Sequence, residues 1–140
     1  MILYNSEALS ISLPVGNEWV CVECTKQPGY LNFKAGLMKA LEYIRTNHIN
    51  SWLFDFREIG ELGEKEETWL QVQFFPQLMM LGQENYFAIL VSESCYNRML
   101  QEAGAYGLKS YNSFIIIDTF YQKKDAEDWL RSHTVSPQNS

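Results

Sequence analysis

The chain of 140 residues falls in the size range of one domain, and its 46% hydrophobic and 20% charged residues are ordinary for a soluble globular protein. Its net charge of −6 argues against binding to nucleic acid or to an anionic membrane, because both require a basic face. The longest apolar runs are too short to span a bilayer and the N-terminus has no secretory signal, so we expect a cytoplasmic protein.

The first 25 residues predict β-strands. ALSISL alternates apolar and polar residues, PVGN is typical of a turn, and EWVCVEC alternates again, which together predict an antiparallel hairpin. MILY is a candidate for a further short edge strand. Within the hairpin, Cys21 and Cys24 would point to opposite faces, and neither begins a helix, so we expect no redox dithiol.

The period then changes to that of helices. Residues 31–48 have apolar side chains at three- and four-residue spacing, which predicts an amphipathic helix. SWLFDF is short and apolar on both faces, as in a central strand that is buried between helices. A helix is predicted next from about Lys65 to Leu81, and Pro76 should kink it or remove one hydrogen bond.

The remaining segments continue the alternation. YFAILV predicts a second buried strand, SESCYNRMLQEAGAYG a helix with a serine cap, SFIIID the last strand and residues 122–133 the last helix. We therefore predict an α/β fold, a mixed and mostly parallel sheet of four to six strands with an N-terminal antiparallel hairpin, flanked by about four helices. A single domain is expected over residues 1–133, with a disordered tail over 134–140.

A site is predicted where the parallel strands end, because ligands in such sheets gather outside the carboxyl ends of the strands. The loops DFREIGELGEKE, SESC and DTFYQ follow the three predicted strands, and TKQPGY is expected on the same side. Their polar residues should share one face: Lys26, Tyr30, Asp55, Arg57, Glu58, Ser92, Glu93, Ser94, Asp118 and Thr119.

Asp55 ends a buried strand, where a carboxylate needs a partner. Arg57 or backbone N–H groups of the loop could provide it, so we interpret Asp55 as a structural or recognition residue rather than a general base. A hydrolase that uses Asp55 with Ser92 or Ser94 would need a base that the sequence does not offer.

Metal and cofactor chemistry finds little support. The five glutamates between residues 58 and 67 could chelate a cation, but their spacing matches no EF-hand loop. Glutamates in a first helical turn, after Gly60 or Gly63, would instead complement the helix dipole. His48 and His133 are too far apart in sequence to suggest a zinc site or a triad. We expect no metal, no cofactor and no enzymatic activity.

Aromatic residues are numerous, at 14% of the chain. Trp69, Phe74 and Phe75 on the predicted kinked helix, with Tyr30 and Trp19 elsewhere, exceed what one face of a short helix buries. They could pack against the sheet, or form an exposed apolar patch for a partner, a second subunit or an apolar ligand.

The order of elements resembles the STAS domain, specifically the SpoIIAA-like branch found in small bacterial proteins. The resemblance is carried by WLFDFREIG leading to TWLQVQFFPQLMMLG, by YFAILVS and by a terminal DAEDWL, and it spans nearly the whole chain. It implies a four- or five-stranded mixed sheet that serves protein–protein contacts or small-ligand sensing rather than catalysis. Anti-sigma factor antagonists of this fold carry a phosphorylatable serine just past the strand that ends in Asp, but residues 55–59 contain none, which puts a phospho-switch in doubt.

Two functions follow from these patterns. The first is a non-enzymatic regulatory or interaction module that binds a protein partner, or a second copy of itself, through the acidic loop 55–67 and the start of the next helix. Its predicted contact residues are Asp55, Arg57, Glu58, Glu61, Trp69, Ser92, Ser94 and Asp118. The alternative is binding of a small apolar ligand or lipid, of SEC14-like type, in a pocket lined by Phe74, Phe75, Met79 and Met80.

Overall fold

One mixed seven-stranded sheet organises the protein, whose computed structural model describes residues 1–16, 18–104, 108–111 and 114–133. The strand order across the sheet is β1-β2-β3-β4-β5-β7-β6. The four central strands β3, β4, β5 and β7 are parallel, and antiparallel strands lie at both edges. The strands are β1 (Ile2–Asn5), β2 (Leu9–Ser12), β3 (Val20–Cys24), β4 (Ser51–Asp55), β5 (Asn85–Leu90), β6 (Lys109–Tyr111) and β7 (Ile115–Phe120).

Helices cover both faces of the sheet unequally. The successive parallel strands advance across the sheet in one direction, so their right-handed crossovers place α1, the α2–α3 region and α4 on one face and leave α5 on the other. None of the described helices is both long and apolar enough to cross a membrane. The helices are α1 (Tyr30–Asn47), α2 (Glu64–Trp69), a π-helical segment (Leu70–Phe74), α3 (Phe75–Met79), α4 (Glu93–Ala103) and α5 (Lys123–His133).

This architecture confirms the predicted α/β class, including the N-terminal hairpin and the edge strand at residues 2–5. The sheet has one strand more than the predicted maximum, because the three-residue β6 pairs with β7 at the far edge. The predicted tail, residues 134–140, lies outside the described residues.

The central strand β4 is fully buried, as its composition predicts. Trp52 and Phe54 point toward α1 and α3, where they join the larger core cluster, and Leu53 points to the smaller cluster under α5. This alternation follows from the period of two in a strand. It also sends the next residue, Asp55, to the α5 side.

Pro76 interrupts regular α-helical geometry. In the π-helical segment that precedes it, the N–H of Phe75 bonds to the carbonyl oxygen of Leu70, five residues back. A proline ring collides with the carbonyl of the fourth preceding residue in an α-helix, and a wider turn relieves that collision. The predicted irregularity at Pro76 is therefore a π-helical turn.

The wide turn also explains the aromatic excess. Trp69 and Phe74 are five residues apart, a spacing that would put them on different faces of an α-helix. Across the π-helical turn both side chains are buried in the same cluster, with ring centroids 5.5 Å apart. Trp69, Phe74 and Phe75 are all core residues, so of the two alternatives that the sequence left open, packing against the sheet is the one observed for this helix.

Candidate functional site

An apolar cavity of about 330 Å³ lies between the sheet and the helices on the α1–α4 face. Its floor is formed by β4, β5 and β7 and by residues that directly follow β4 and β5, and its walls by the α2–α3 region, α4 and the loop after β4. The floor residues are Phe54, Phe56, Ile89, Val91 and Ile117, and the wall residues are Gly60, Glu61, Leu62, Glu67, Leu70, Gln71, Phe75, Cys95 and Met99.

The cavity exists because α4 does not pack closely on the sheet. Cys95 is the one buried residue among the eleven of α4. Ile89 and Ile117 stay partly exposed on central strands, although they point toward α4. A thiol and the unbranched side chain of Met99 are too slim to fill the space between this helix and the two isoleucines.

Polar contacts hold the loop and helix that border the cavity. Arg98 Nη2 lies 2.9 Å from Glu61 Oε1, which joins α4 to the loop. Gln27 Nε2 donates hydrogen bonds to the carbonyl oxygens of Ile59 and Glu61, at 3.2 and 2.7 Å. Gly60 has φ of 74°, a left-handed conformation that glycine adopts without strain. The loop is thus tied on two sides, and the cavity border has a defined shape.

The two predicted site serines lie at the start of α4. Ser92 is its N-cap, and its Oγ accepts a hydrogen bond from the backbone N–H of Cys95 at 3.2 Å. Ser94 Oγ is 3.3 Å from Ser92 Oγ and is exposed. These contacts position Cys95 at the cavity wall. They provide no activated nucleophile, because Asp55 is on the opposite face of the sheet.

Asp55 and Arg57 form a separate polar site on the α5 side. Asp55 is 5% exposed, and Arg57 donates to it from Nε at 3.0 Å, from Nη2 at 2.8 Å and from its backbone N–H at 3.2 Å. The hydrogen bond to Asp55 raises the pKa of Arg57. Glu58 and Glu23 border the same shallow pocket. Arg57 thus provides the partner that the buried carboxylate of Asp55 needs, as the sequence suggested.

Asp118 also faces the α5 side, but within its strand rather than beyond it. The register partner of Asp118 on β5 is Ala88, whereas the register partner of Asp55 on β5 is Leu90. Asp118 is therefore two strands away from Asp55 and lies two residues before it along the strand direction. Its Oδ1 accepts from the backbone N–H of Thr119, and Lys109 lies 4.0 Å from Oδ2. Burial raises its pKa, which the Thr119 bond and Lys109 partly oppose.

The predicted single polar face therefore divides into two. Asp55 and Asp118 lie on the α5 side of the sheet, whereas Glu61, Ser92 and Ser94 lie on the side of the cavity. The loops after β3, β4, β5 and β7 do share one edge of the sheet, as predicted, because these strands are parallel. Their polar side chains nevertheless divide between its two faces, because side chains at the end of a strand still alternate.

The acidic run is distributed along the helix start. Gly63 is the N-cap of α2, and the Glu66 carboxylate folds back over it into the space that a Cβ would fill. Glu64, Glu66 and Glu67 stand in the first turn, where they complement the positive end of the helix dipole. Within the described ranges, no three His, Cys, Asp or Glu side chains are placed to hold a metal ion.

The predicted lining of the ligand pocket needs correction at three of four positions. Phe75 lines the cavity, but Phe74 is buried in the core behind it. Met79 packs against the edge of the same core, and Met80, at 86% exposed, extends into solvent after the helix ends. The prediction took the pocket to follow the C-terminal part of the helix, whereas the cavity lies beside its middle and its N-terminal half.

The cysteines are all free thiols. Burial, reinforced by Glu23 and Asp55, raises the pKa of Cys21 to about 11 and that of Cys24 to about 12. Both stay protonated at neutral pH and are weak nucleophiles. They face opposite sides of the sheet, as predicted.

Sequence reasoning missed most of the cavity residues, among them Ile89, Cys95, Met99 and Ile117. The strand alternation offered one signal, because Phe54, Ile89 and Ile117 have the same orientation on neighbouring strands. Nothing in the pattern of α4 indicated how far from the sheet it would lie.

The chain matches no protein-family model and no curated protein. Among solved structures, it is similar to an uncharacterized protein of the DUF3478 family from Shewanella loihica that has a SpoIIAA-like fold. The two share 16% sequence identity and superpose with a TM-score of 0.53, over 88% of this chain and 92% of the other. The fold is therefore SpoIIAA-like, in agreement with the resemblance in the sequence.

Proposed function

We propose that this SpoIIAA-like domain is a non-enzymatic module that binds a small apolar ligand in the cavity beneath α4. The observation that carries the proposal is the cavity itself. Its volume of about 330 Å³ is at the lower end of the range of small-molecule sites, roughly 300–1,000 Å³. It lies at the carboxyl ends of parallel strands, where ligands of such sheets commonly bind.

The lining supports an apolar ligand. Nine of the fourteen lining residues are Phe, Leu, Ile, Val or Met, and the charged ones, Glu61 and Glu67, are exposed at the border. A ligand that covered Ile89 and Ile117 would remove apolar surface of two central strands from water, which is favourable. Binding therefore has a clear driving force.

The composition of the cavity also supports a role without catalysis. Its ionisable lining residues are the two border glutamates and Cys95. His48 ends α1 and His133 stacks on Tyr86 on the other face, so neither histidine belongs to the lining. A general base next to a nucleophile is the arrangement that hydrolysis would require.

Binding can be tested with N-phenyl-1-naphthylamine, an uncharged apolar fluorophore. We expect saturable binding to the wild-type protein, and at least about tenfold weaker binding by Cys95→Trp, since the indole would occupy the cavity. Gln101→Trp adds the same side chain at an exposed position of α4 and should change the affinity less than about twofold. Absence of saturable binding, or equal affinities of wild type and Cys95→Trp with both folded by circular dichroism, would overturn the proposal.

A second candidate function, binding of a basic protein partner or of a second copy, is favoured by one observation. Glu58, Glu64 and Glu67 are exposed along the loop and the start of α2, and in the described part of the chain they have no ion-pair partner. Val72, 65% exposed, lies on the same helical region. Trp69 is buried, so it is omitted from this surface.

Charge reversal tests the second function. If the acidic surface binds a partner or a second copy, the triple change of Glu58, Glu64 and Glu67 to Lys should abolish the complex seen by sedimentation velocity or affinity capture. Reversal of exposed Glu42 and Glu102, away from this surface, should preserve it. A wild-type monomer that captures no protein, or capture that survives the triple change, would contradict partner binding.

A further inference from the structure

We infer that the cavity prefers an apolar ligand with a cationic head group over one with an anionic head group. This inference rests on the proposed binding of an apolar ligand and adds the chemical class of its polar end. It follows from the charges that border the cavity and from how each of them is already paired.

Three ionised side chains stand at the border, Glu61, Glu67 and Arg98. Glu61 and Glu67 line the cavity directly. Arg98 reaches the border from α4, and its Nη2 is shared between Glu61 Oε1 at 2.9 Å and Cys95 Sγ at 3.7 Å. Two carboxylates and one guanidinium leave a formal charge of −1 where the head group of a bound ligand would emerge.

The single guanidinium is a poor receptor for an anion. A carboxylate head group that bound Arg98 would share the guanidinium with Glu61, and it would also face the uncompensated Glu67 carboxylate. A cationic head group meets no such competition, because the Glu67 carboxylate has no ion-pair partner among the residues that the structure describes. The existing contacts therefore favour a positive head group.

Other cations near this part of the protein are directed elsewhere. Arg57 is held by Asp55 on the opposite side of the sheet. Lys65 borders a different surface groove, with Tyr30 and Trp69, on the α1 side of α2. Neither belongs to the lining of the cavity. The negative sign of the border is thus not reversed by neighbouring basic residues.

The expected preference is moderate, since the border side chains are exposed and solvent screens them. Arg98 and Glu61 are 49% and 70% exposed. For charges a few ångströms apart in such surroundings, we expect about a 3- to 10-fold difference in affinity at low ionic strength, which should diminish as salt is added.

Three probes with one chain length test the head-group preference: octylammonium, octan-1-ol and octanoate, each competing with N-phenyl-1-naphthylamine at pH 7. We expect octylammonium to bind most tightly and octanoate most weakly. Glu67→Gln should reduce the ratio between these two affinities, and Glu67→Lys should invert it. Glu64→Gln removes the same charge from the same helix at a residue outside the lining, and should leave the ratio unchanged.

The outcomes separate this inference from the function on which it rests. Octanoate binding as tightly as octylammonium, or a ratio that Glu67→Lys does not alter, would overturn the charge preference while binding of apolar ligands stands. If N-phenyl-1-naphthylamine shows no saturable binding, or if none of the three octyl probes displaces it, the proposed function fails and the preference with it.

Discussion

Replacing Trp52 with alanine is expected to lower the free energy of unfolding by about 3–5 kcal/mol. Trp52 is completely buried on the central strand β4. Its ring stacks on Phe87 and meets Phe74 edge-on, both at 5.5 Å between centroids. Alanine would leave a cavity at the centre of the aromatic core, where neighbouring strands and helices cannot collapse to fill it.

Trp52→Phe provides the matched variant, because it retains an aromatic ring. Trp52 Nε1 is buried without a hydrogen-bond partner, so phenylalanine would remove an unsatisfied donor as well as part of the ring system. We expect a loss below about 1.5 kcal/mol. Urea denaturation followed by circular dichroism measures both variants. Equal losses for phenylalanine and alanine, or a loss for alanine within about 1 kcal/mol of zero, would contradict this view of the core.

Replacing Arg57 with alanine is expected to lower the free energy of unfolding by about 2 kcal/mol, because it leaves the buried carboxylate of Asp55 with one backbone donor. The loss should be below the 3–5 kcal/mol that is typical of fully buried pairs, since the Arg57 side chain is 41% exposed. The register partner of Asp55 is Glu23, whose charge adds to the repulsion once the guanidinium is gone.

A double-mutant cycle isolates the Asp55–Arg57 interaction. Asp55→Asn combined with Arg57→Ala should be less destabilising than the sum of the two single changes, by about 1–2 kcal/mol. Arg45→Ala removes an exposed arginine whose Nη2 donates a hydrogen bond to Gln77 Oε1, and it should cost less than about 0.5 kcal/mol. Additive losses in the cycle would show that the two side chains do not act as a pair.

The elements themselves were predictable because their apolar patterns are strong. In α1 the buried residues Phe33, Leu37, Leu41 and Ile44 recur at the helical period, and the observed range 30–47 differs by one residue at each end from the predicted 31–48. The parallel central strands are short and apolar, which distinguishes them from helices. β6 was missed because KSY has no apolar alternation. Its strand conformation comes from pairing with β7, which its own three residues do not indicate.

The division of the candidate site between the two faces of the sheet could have been predicted from the sequence. In SWLFDF, Trp52, Phe54 and Phe56 share one face and Asp55 has the other, so alternation alone separates Asp55 from the apolar side of β4. The prediction treated the strand as apolar on both faces and grouped residues by their position after the strands. Position along a strand and orientation across it are independent, and both determine which side chains meet.

The cavity could not be predicted, since it depends on the distance between α4 and the sheet. Cys95 is the one buried residue of α4. The sequence of α4 alone is equally compatible with a helix that packs closely on the sheet. The charge at the cavity border likewise depends on how distant segments come together. Glu61 and Arg98 are 37 residues apart and meet only because the loop and α4 lie side by side.

The π-helical turn between Leu70 and Phe74 means that this region contains one residue more than an α-helix with the same end points would need. A relative whose helix is regular would therefore align with this chain only after a one-residue gap inside the helix. Without the gap, Trp69 and everything before it in α2 would be compared with positions about 100° away around the helix axis. The five-residue interval from Trp69 to Phe74 marks where the extra residue belongs.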